Sequence, residues 1–253
     1  MAMDESASQA RDTIPVRPLN ARSVVLSTLL GYHPPALPVS ALVRSGGLFG
    51  IAEGAIRVAL GRMVVDGDLI ASNRTYRLTK RLIARQRRQD DSCSPRTRKW
   101  DGDWEMEVVT APPRPLADRV ALRRSMADLR LAELREGVWM RPANLIRDRH
   151  ATALEQCTFF RSRLQEDPEL FVRTLWDLDT WAADARGLHH EIGSTTSLVE
   201  GFLFATAVYR HLRRDPVLPP ELLPADWPGT ALRERWAQFS SSYAQQLREY
   251  LEE

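Results

Sequence analysis

Lysine is almost missing from this chain. Only Lys80 and Lys99 occur among 35 basic residues, so nearly all the positive charge is arginine. That bias fits a GC-rich genome, and arginine's planar fork also suits phosphate. Cysteine is scarce too. Cys93 and Cys157 are far apart and lack metal-ligand spacing, which fits a reduced, cytoplasmic protein rather than a disulfide framework. No apolar run approaches the roughly 18 residues of a membrane span. The first twenty residues lack the apolar centre of a secretory signal and read as a disordered tail. There is no P-loop, nucleophile elbow or dinucleotide glycine fingerprint.

Net charge is only +2, but it is unevenly spread. The first 99 residues hold 16 basic and 8 acidic side chains; the remainder is acidic. Between Arg74 and Lys99 there are ten basic residues and two acidic ones. A basic N-terminal third beside an acidic remainder fits a nucleic-acid reader joined to a module that stays off DNA.

Gly46 to Leu78 gives that reader a shape. Gly46, Gly47 and Gly50 supply a turn, and Ile51, Ile56, Ala59, Leu60, Met63 and Val64 then recur at helical spacing. The opposite face carries Glu53, Gly54, Arg57, Val58, Gly61 and Arg62. Gly67 suits a left-handed helix stop, and Leu69–Ile70 and Tyr76–Leu78 flank the tight turn Ser72-Asn73-Arg74. Residues 21–32, with Asn20 as cap, and 38–44 add two helical patterns upstream. Helix, turn, helix and basic hairpin in that order predict a winged helix-turn-helix.

The fold class expected is α+β and multidomain. A winged helix spans about 18–90, closed by a helix over 80–89; a polar linker follows over 90–98. A ferredoxin-like middle domain spans 100–167. It is built from a strand over 104–111 (Trp104, Met106 and Val108 inward, Glu105 and Glu107 outward), a helix over 118–133, a short strand over 137–141 and a strand near 156–161. In the helix, Leu122, Met126 and Leu129 face inward, and Arg123, Arg124, Asp128 and Arg130 outward. A helical C-terminal domain spans 168–253, with helices over 169–185, 194–213 (Ser or Thr as cap) and 230–251. Its aromatics read as core, and the proline-dense stretch 215–229 as an extended connector.

Five segments together resemble the PaaX family of bacterial transcriptional repressors, over roughly residues 20–250. They are GIAEGAIRVALGRMVVDGDL (50–69) with YRLT (76–79), WDGDWEMEVV (100–109), EGVWMRP (136–142), LWDLDTW (175–181) and DPVLPPELLPADWPG (215–229). The resemblance implies a winged helix, a middle domain similar to small CRISPR-associated ferredoxin-like nucleases, and a helical C-terminal domain. It implies a homodimer that binds palindromic operator DNA, controls phenylacetate-type catabolic genes, and is released by an aryl-CoA thioester such as phenylacetyl-CoA. No cofactor or metal is expected. Three positions depart from the family pattern: Ala52 stands where Ser is common, the hairpin loop is short, and Asp184 replaces an aromatic.

In this reading Glu53, Arg57 and Arg62 face the major groove, and Asn73, Arg74, Arg77, Lys80 and Arg81 contact phosphates. An i+4 pair with Asp66 competes for Arg62, and Glu53 for Arg57. A CoA thioester needs cations and an apolar slot. Candidates are Arg141 and Arg161, with Arg147, Arg149 and Arg163, and the slot residues Trp104, Trp139, Trp176 and Trp181. Two rivals stand beside this. Asp101 and Asp103 at i, i+2 could hold Mg²⁺ in a nuclease, while His189-His190 lacks a third ligand at metal spacing. The protein could also be a DNA-binding dimer with no small-molecule switch.

Overall fold

The computed structural model describes residues 19–192 and 197–252. The polar N-terminal tail up to residue 18 and the Ser194–Thr196 entrance to the expected helix lie outside the described residues. Two compact units emerge. One groups residues 19–90, 197–207 and 237–252; the other groups residues 91–192 and 208–236.

In the first unit, α1 (Ala21–Gly31) starts at Asn20, whose side-chain oxygen accepts the Ser23 N–H at 2.9 Å. β1 (Ala36–Pro38) leads into α2 (Val39–Leu48), then α3 (Glu53–Val65). Gly46 and Gly47 belong to the last turn of α2 rather than to a loop. Gly46 is needed for packing: a Cβ there would meet Ile56 Cγ1 at 2.5 Å. Gly50, at φ +66°, makes the turn. Ala52 gives α3 no side-chain cap. Ile56, Leu60 and Met63 of α3 are fully buried, with Val25, Leu29 and Leu42. Val64 departs from the expected apolar face and is exposed, because helical spacing sets it beside Glu53 and Arg57 at the edge of the polar face.

Gly67, at φ +71°, ends α3 and opens β2 (Leu69–Ser72). Asn73 and Arg74 both have positive φ, the conformation of a two-residue hairpin turn into β3 (Thr75–Leu78). The three strands are antiparallel in the order β1-β3-β2. α4 (Lys80–Cys93) follows and runs past the expected helix end into the expected linker. Gln86 on its buried face donates to the carbonyls of Leu29, Leu30 and Tyr32 at the end of α1. Leu247 and Leu251 join the same core, with Leu198 and Tyr243 packed against it.

The second unit has a four-stranded antiparallel sheet. Its chain order is β4 (Asp103–Val109), α5 (Leu116–Asp128), β5 (Ala132–Arg135), β6 (Val138–Pro142), α6 (Ala151–Gln156) and β7 (Cys157–Arg163). The spatial order is β5-β6-β4-β7. The expected helix over 118–133 ends five residues early. Arg130 takes φ +59°, and β5, which periodicity did not reveal, follows. Helical pieces α7 (Pro168–Leu175) and α8 (Leu178–Glu191) replace one expected helix. Asp177 breaks it and caps α8 by accepting the Thr180 N–H. α9 (Leu198–Leu212) and α10 (Gly229–Glu252) divide their residues between the two units. The connector before α10 contains one 3₁₀ turn, Pro220–Leu222.

Apolar clusters lie on both faces of this sheet. Leu122, Met126, Trp139 and Cys157 form one; Trp104, Met140, Val172 and Leu218 form the other. Glu105 and Glu107, expected outward, are therefore buried, 9% and 1% exposed. Arginines come in with them: Arg147 lies 2.8 Å from Glu105, and Arg149 3.5 Å from Glu107. Arg130, expected on the surface, is also buried. It donates to the carbonyls of Leu212, Arg213 and Asp215 at the end of α9, where a cation suits the helix dipole.

Candidate nucleic-acid interface

The exposed side of α3 is the polar face anticipated from spacing. Glu53, Gly54, Arg57, Val58, Gly61 and Arg62 are all exposed. Arg57 and Glu53 form an i, i+4 ion pair at 2.7 Å, both more than half exposed. Arg62 does not pair with Asp66. That carboxylate goes to Arg22 at 2.6 Å, and the Arg62 side chain is exposed. The hairpin after α3 brings Asn73, Arg74 and Arg77 to the surface, and Lys80 and Arg81 open α4, also exposed. The stretch from residue 53 to residue 81 thus carries five exposed arginines, one lysine and one exposed glutamate outside the helix-end acids.

Arg81 is not a free cation. It and Arg22 both bind the carboxylate of Asp68, which is nearly buried at the root of the hairpin. Asp66 and Asp68 hold the Arg22 guanidinium above its ordinary pKa, Asp66 through its hydrogen bond first. The sequence pattern offers Asp66 as a helix-stop residue and as an i+4 partner for Arg62, and does not point to Arg22. No local signal marks the link, since Arg22 lies 44 residues or more from both acids.

The residues expected to form an acyl-CoA slot are not gathered into one place. Trp104 is fully buried, edge-on to Trp100 and Phe171. Trp176 packs into the same cluster, whereas Trp139 packs into the cluster on the other sheet face. Trp181 stacks between His211 and Trp227, with ring centroids 4.3 and 4.6 Å away. Burial holds the His211 imidazole below its usual pKa. Arg141, expected as a phosphate ligand, has no exposed surface. It donates to Pro142 O, Arg130 O, Asn144 Oδ1 and Val217 O at 2.8–3.3 Å. Burial lowers its pKa to about 9 and that of Arg130 to about 10. Arg161 is exposed but pairs with Asp103 at 3.2 Å. Trp176 lines an open surface depression with Arg173, Thr174, Asp177 and Asp179.

The carboxylates considered for Mg²⁺ are engaged otherwise. Asp103 faces Arg161 and Arg163, and Asp101 Oδ1 accepts the Asp103 N–H. Among the described residues no group of three or more His, Cys, Asp or Glu is placed to hold a metal ion, and no helix is long and apolar enough to cross a membrane.

Comparison with known proteins covers nearly the whole chain. Residues 20–82 match the model of PaaX-like protein, residues 97–168 that of the PaaX protein central Cas2-like domain, and residues 169–253 that of the PaaX-like protein C-terminal domain. A solved structure, that of the uncharacterized protein Rv0674 from Mycobacterium tuberculosis, shares 44% identity and a TM-score of 0.75. The match covers 91% of this chain and 98% of that one. No curated protein matches.

Proposed function

From the premise that the chain belongs to the PaaX family of transcriptional regulators, we propose that it is a DNA-binding repressor whose residues 18–90 work as a winged helix-turn-helix. The observation that carries this reading is the exposed face of α3 with the β2–β3 hairpin directly behind it. The order α1-β1-α2-α3-β2-β3 and the sheet order β1-β3-β2 support it. α3 is the recognition helix and the hairpin is the wing. Arg62, and Arg57 once it leaves Glu53, hydrogen-bond base edges. A bidentate arginine–guanine pair gives about 1–3 kcal/mol of discrimination. Asn73, Arg74, Arg77 and Lys80 contact phosphates, and Arg81 stands among them while held by Asp68.

In the same reading the middle residues 100–167 form a ferredoxin-like domain, which the order strand–helix–strand–strand–helix–strand and the sheet order β5-β6-β4-β7 support. Residues 168–253 complete the chain, and two copies in a homodimer set the spacing of a palindromic operator. An aryl-CoA thioester, phenylacetyl-CoA first, releases the DNA by binding one state of the dimer more tightly than the other. The Trp176 depression is the opening in which to seek it. The genes controlled are those of phenylacetate-type catabolism, and the protein works in the cytoplasm without cofactor or catalysis.

Fluorescence anisotropy on duplexes from the promoter upstream of its own gene tests this, with phenylacetyl-CoA, phenylacetate and acetyl-CoA as titrants. Tight binding, lost in Arg62→Ala and released by the aryl thioester alone, is the expected result. Binding equally tight to any duplex, or unaffected by Arg62→Ala, would overturn it.

A further inference from the structure

Between Arg57 and Arg62 the outward face of α3 has no group that can hydrogen-bond a base. Gly54, Ala55, Val58 and Gly61 are exposed there, and none has a polar side chain. Val58 is 55% exposed; Val65 on the same face is 87% exposed but is the last residue of the helix, beyond Arg62. The neighbours of Val58 one turn away are Gly54 and Gly61, and a Cβ at either position would meet nothing within 4 Å. Val58 therefore stands clear of a low surface, with a guanidinium on either side. Such an exposed β-branched side chain contributes nothing to the core, and valine is a poorer helix former than alanine.

We propose that Val58 is a specificity-determining residue that reads the C5-methyl group of a thymine in the major groove. The occupant follows from charge and shape together. Arg57, Arg62, Arg74 and Arg77 make this surface complementary to a polyanion. The glycines let the helix backbone approach closely. In the major groove the thymine methyl is the one apolar feature a base pair presents, and an apolar side chain is its natural partner. The assignment rests on the DNA-reading function proposed above and deepens it. Arginines read guanines at the flanks, and Val58 reads a T·A pair between them.

The test begins with a duplex selected by the full-length protein from a random library. Each thymine is then replaced in turn by deoxyuridine, which removes the methyl and leaves every hydrogen-bonding group. One thymine per half-site is expected to matter, its replacement weakening wild-type binding about three- to fivefold, as for a buried methyl. At that position Val58→Ala is expected to bind the thymine and uracil duplexes equally, with an unfolding midpoint no lower than wild type, because the site is exposed and alanine is the better helix former. Wild-type indifference to every replacement, or full methyl dependence retained in Val58→Ala, would overturn the assignment while leaving DNA reading intact. Failure of the library to yield any preferred duplex would overturn the DNA reading itself, and the assignment with it.

Discussion

Replacing Arg141 with leucine separates a structural arginine from a ligand-binding one. The side chain is fully buried, and its guanidinium is a donor to Pro142 O, Arg130 O and Asn144 Oδ1. Val217 O is less dependent on it, because Asn144 Nδ2 also reaches that carbonyl at 3.0 Å. Glu105 likewise keeps Arg147. Leucine retains part of the stem's volume but leaves three acceptors without that donor. At about 1–3 kcal/mol for each buried group left unpaired, less the relief of no longer burying a charge, the expected loss is about 3–5 kcal/mol. For a chain of this size that lowers the melting temperature by roughly 10 °C. Urea unfolding followed by tryptophan fluorescence measures it. Arg161→Leu is the control, since that exposed pair with Asp103 is worth about 1 kcal/mol at most. An Arg141→Leu protein as stable as wild type that had lost its response to an acyl-CoA would refute the buried-network account.

Three further outcomes follow from single contacts. Gly46→Ala is expected to cost about 1–3 kcal/mol, read in the same urea experiment, because the new methyl meets the core side chain of Ile56. Burial raises the Glu107 pKa despite Arg147 and Arg149, so the folded state holds that proton more tightly than the unfolded chain. Its stabilising share is present at low pH and lost as pH rises through the folded value. Wild type should therefore gain on Glu107→Gln in unfolding midpoint between about pH 8 and about pH 5; a constant difference would refute this. Glu53→Gln removes a negative charge from the face proposed to meet DNA and frees Arg57, so non-specific duplex affinity should rise several-fold at low salt, as anisotropy would show.

What could be read in the sequence was what depends on near neighbours. Asn20 as a cap, Gly67 as a left-handed stop and the Asn73-Arg74 turn are local, and the structure has all three. Burial of Ile56, Leu60 and Met63 against exposure of Arg57 and Arg62 follows from helical periodicity alone. The misread burial in the sheet has one cause. Strand alternation assumes a sheet with one wet face, but both faces of the four-stranded sheet are covered, so Glu105 and Glu107 went inside. Their arginine partners, and the partners of Arg130 and Arg141 near Asp215 and Val217, lie far along the chain where no window could pair them. The tryptophans failed as a slot for the same reason: one sheet puts Trp104 and Trp139 on opposite faces.

In the proposed DNA reading, Arg57 and Arg62 each have an acid one turn away that competes with DNA for the guanidinium. The pair expected for Arg62 is not formed, because Arg22 takes Asp66. The pair expected for Arg57 is formed, but an exposed i, i+4 pair is worth only about 0.3–0.5 kcal/mol. In the proposed complex a bidentate bond to guanine would be worth about 1–3 kcal/mol, so a correct base would take the guanidinium from Glu53. A phosphate or a wrong base offers less, and Glu53 competes better against those. On that proposal the carboxylate would weaken indiscriminate binding more than specific binding, and Glu53 would aid selectivity on a face otherwise rich in arginine.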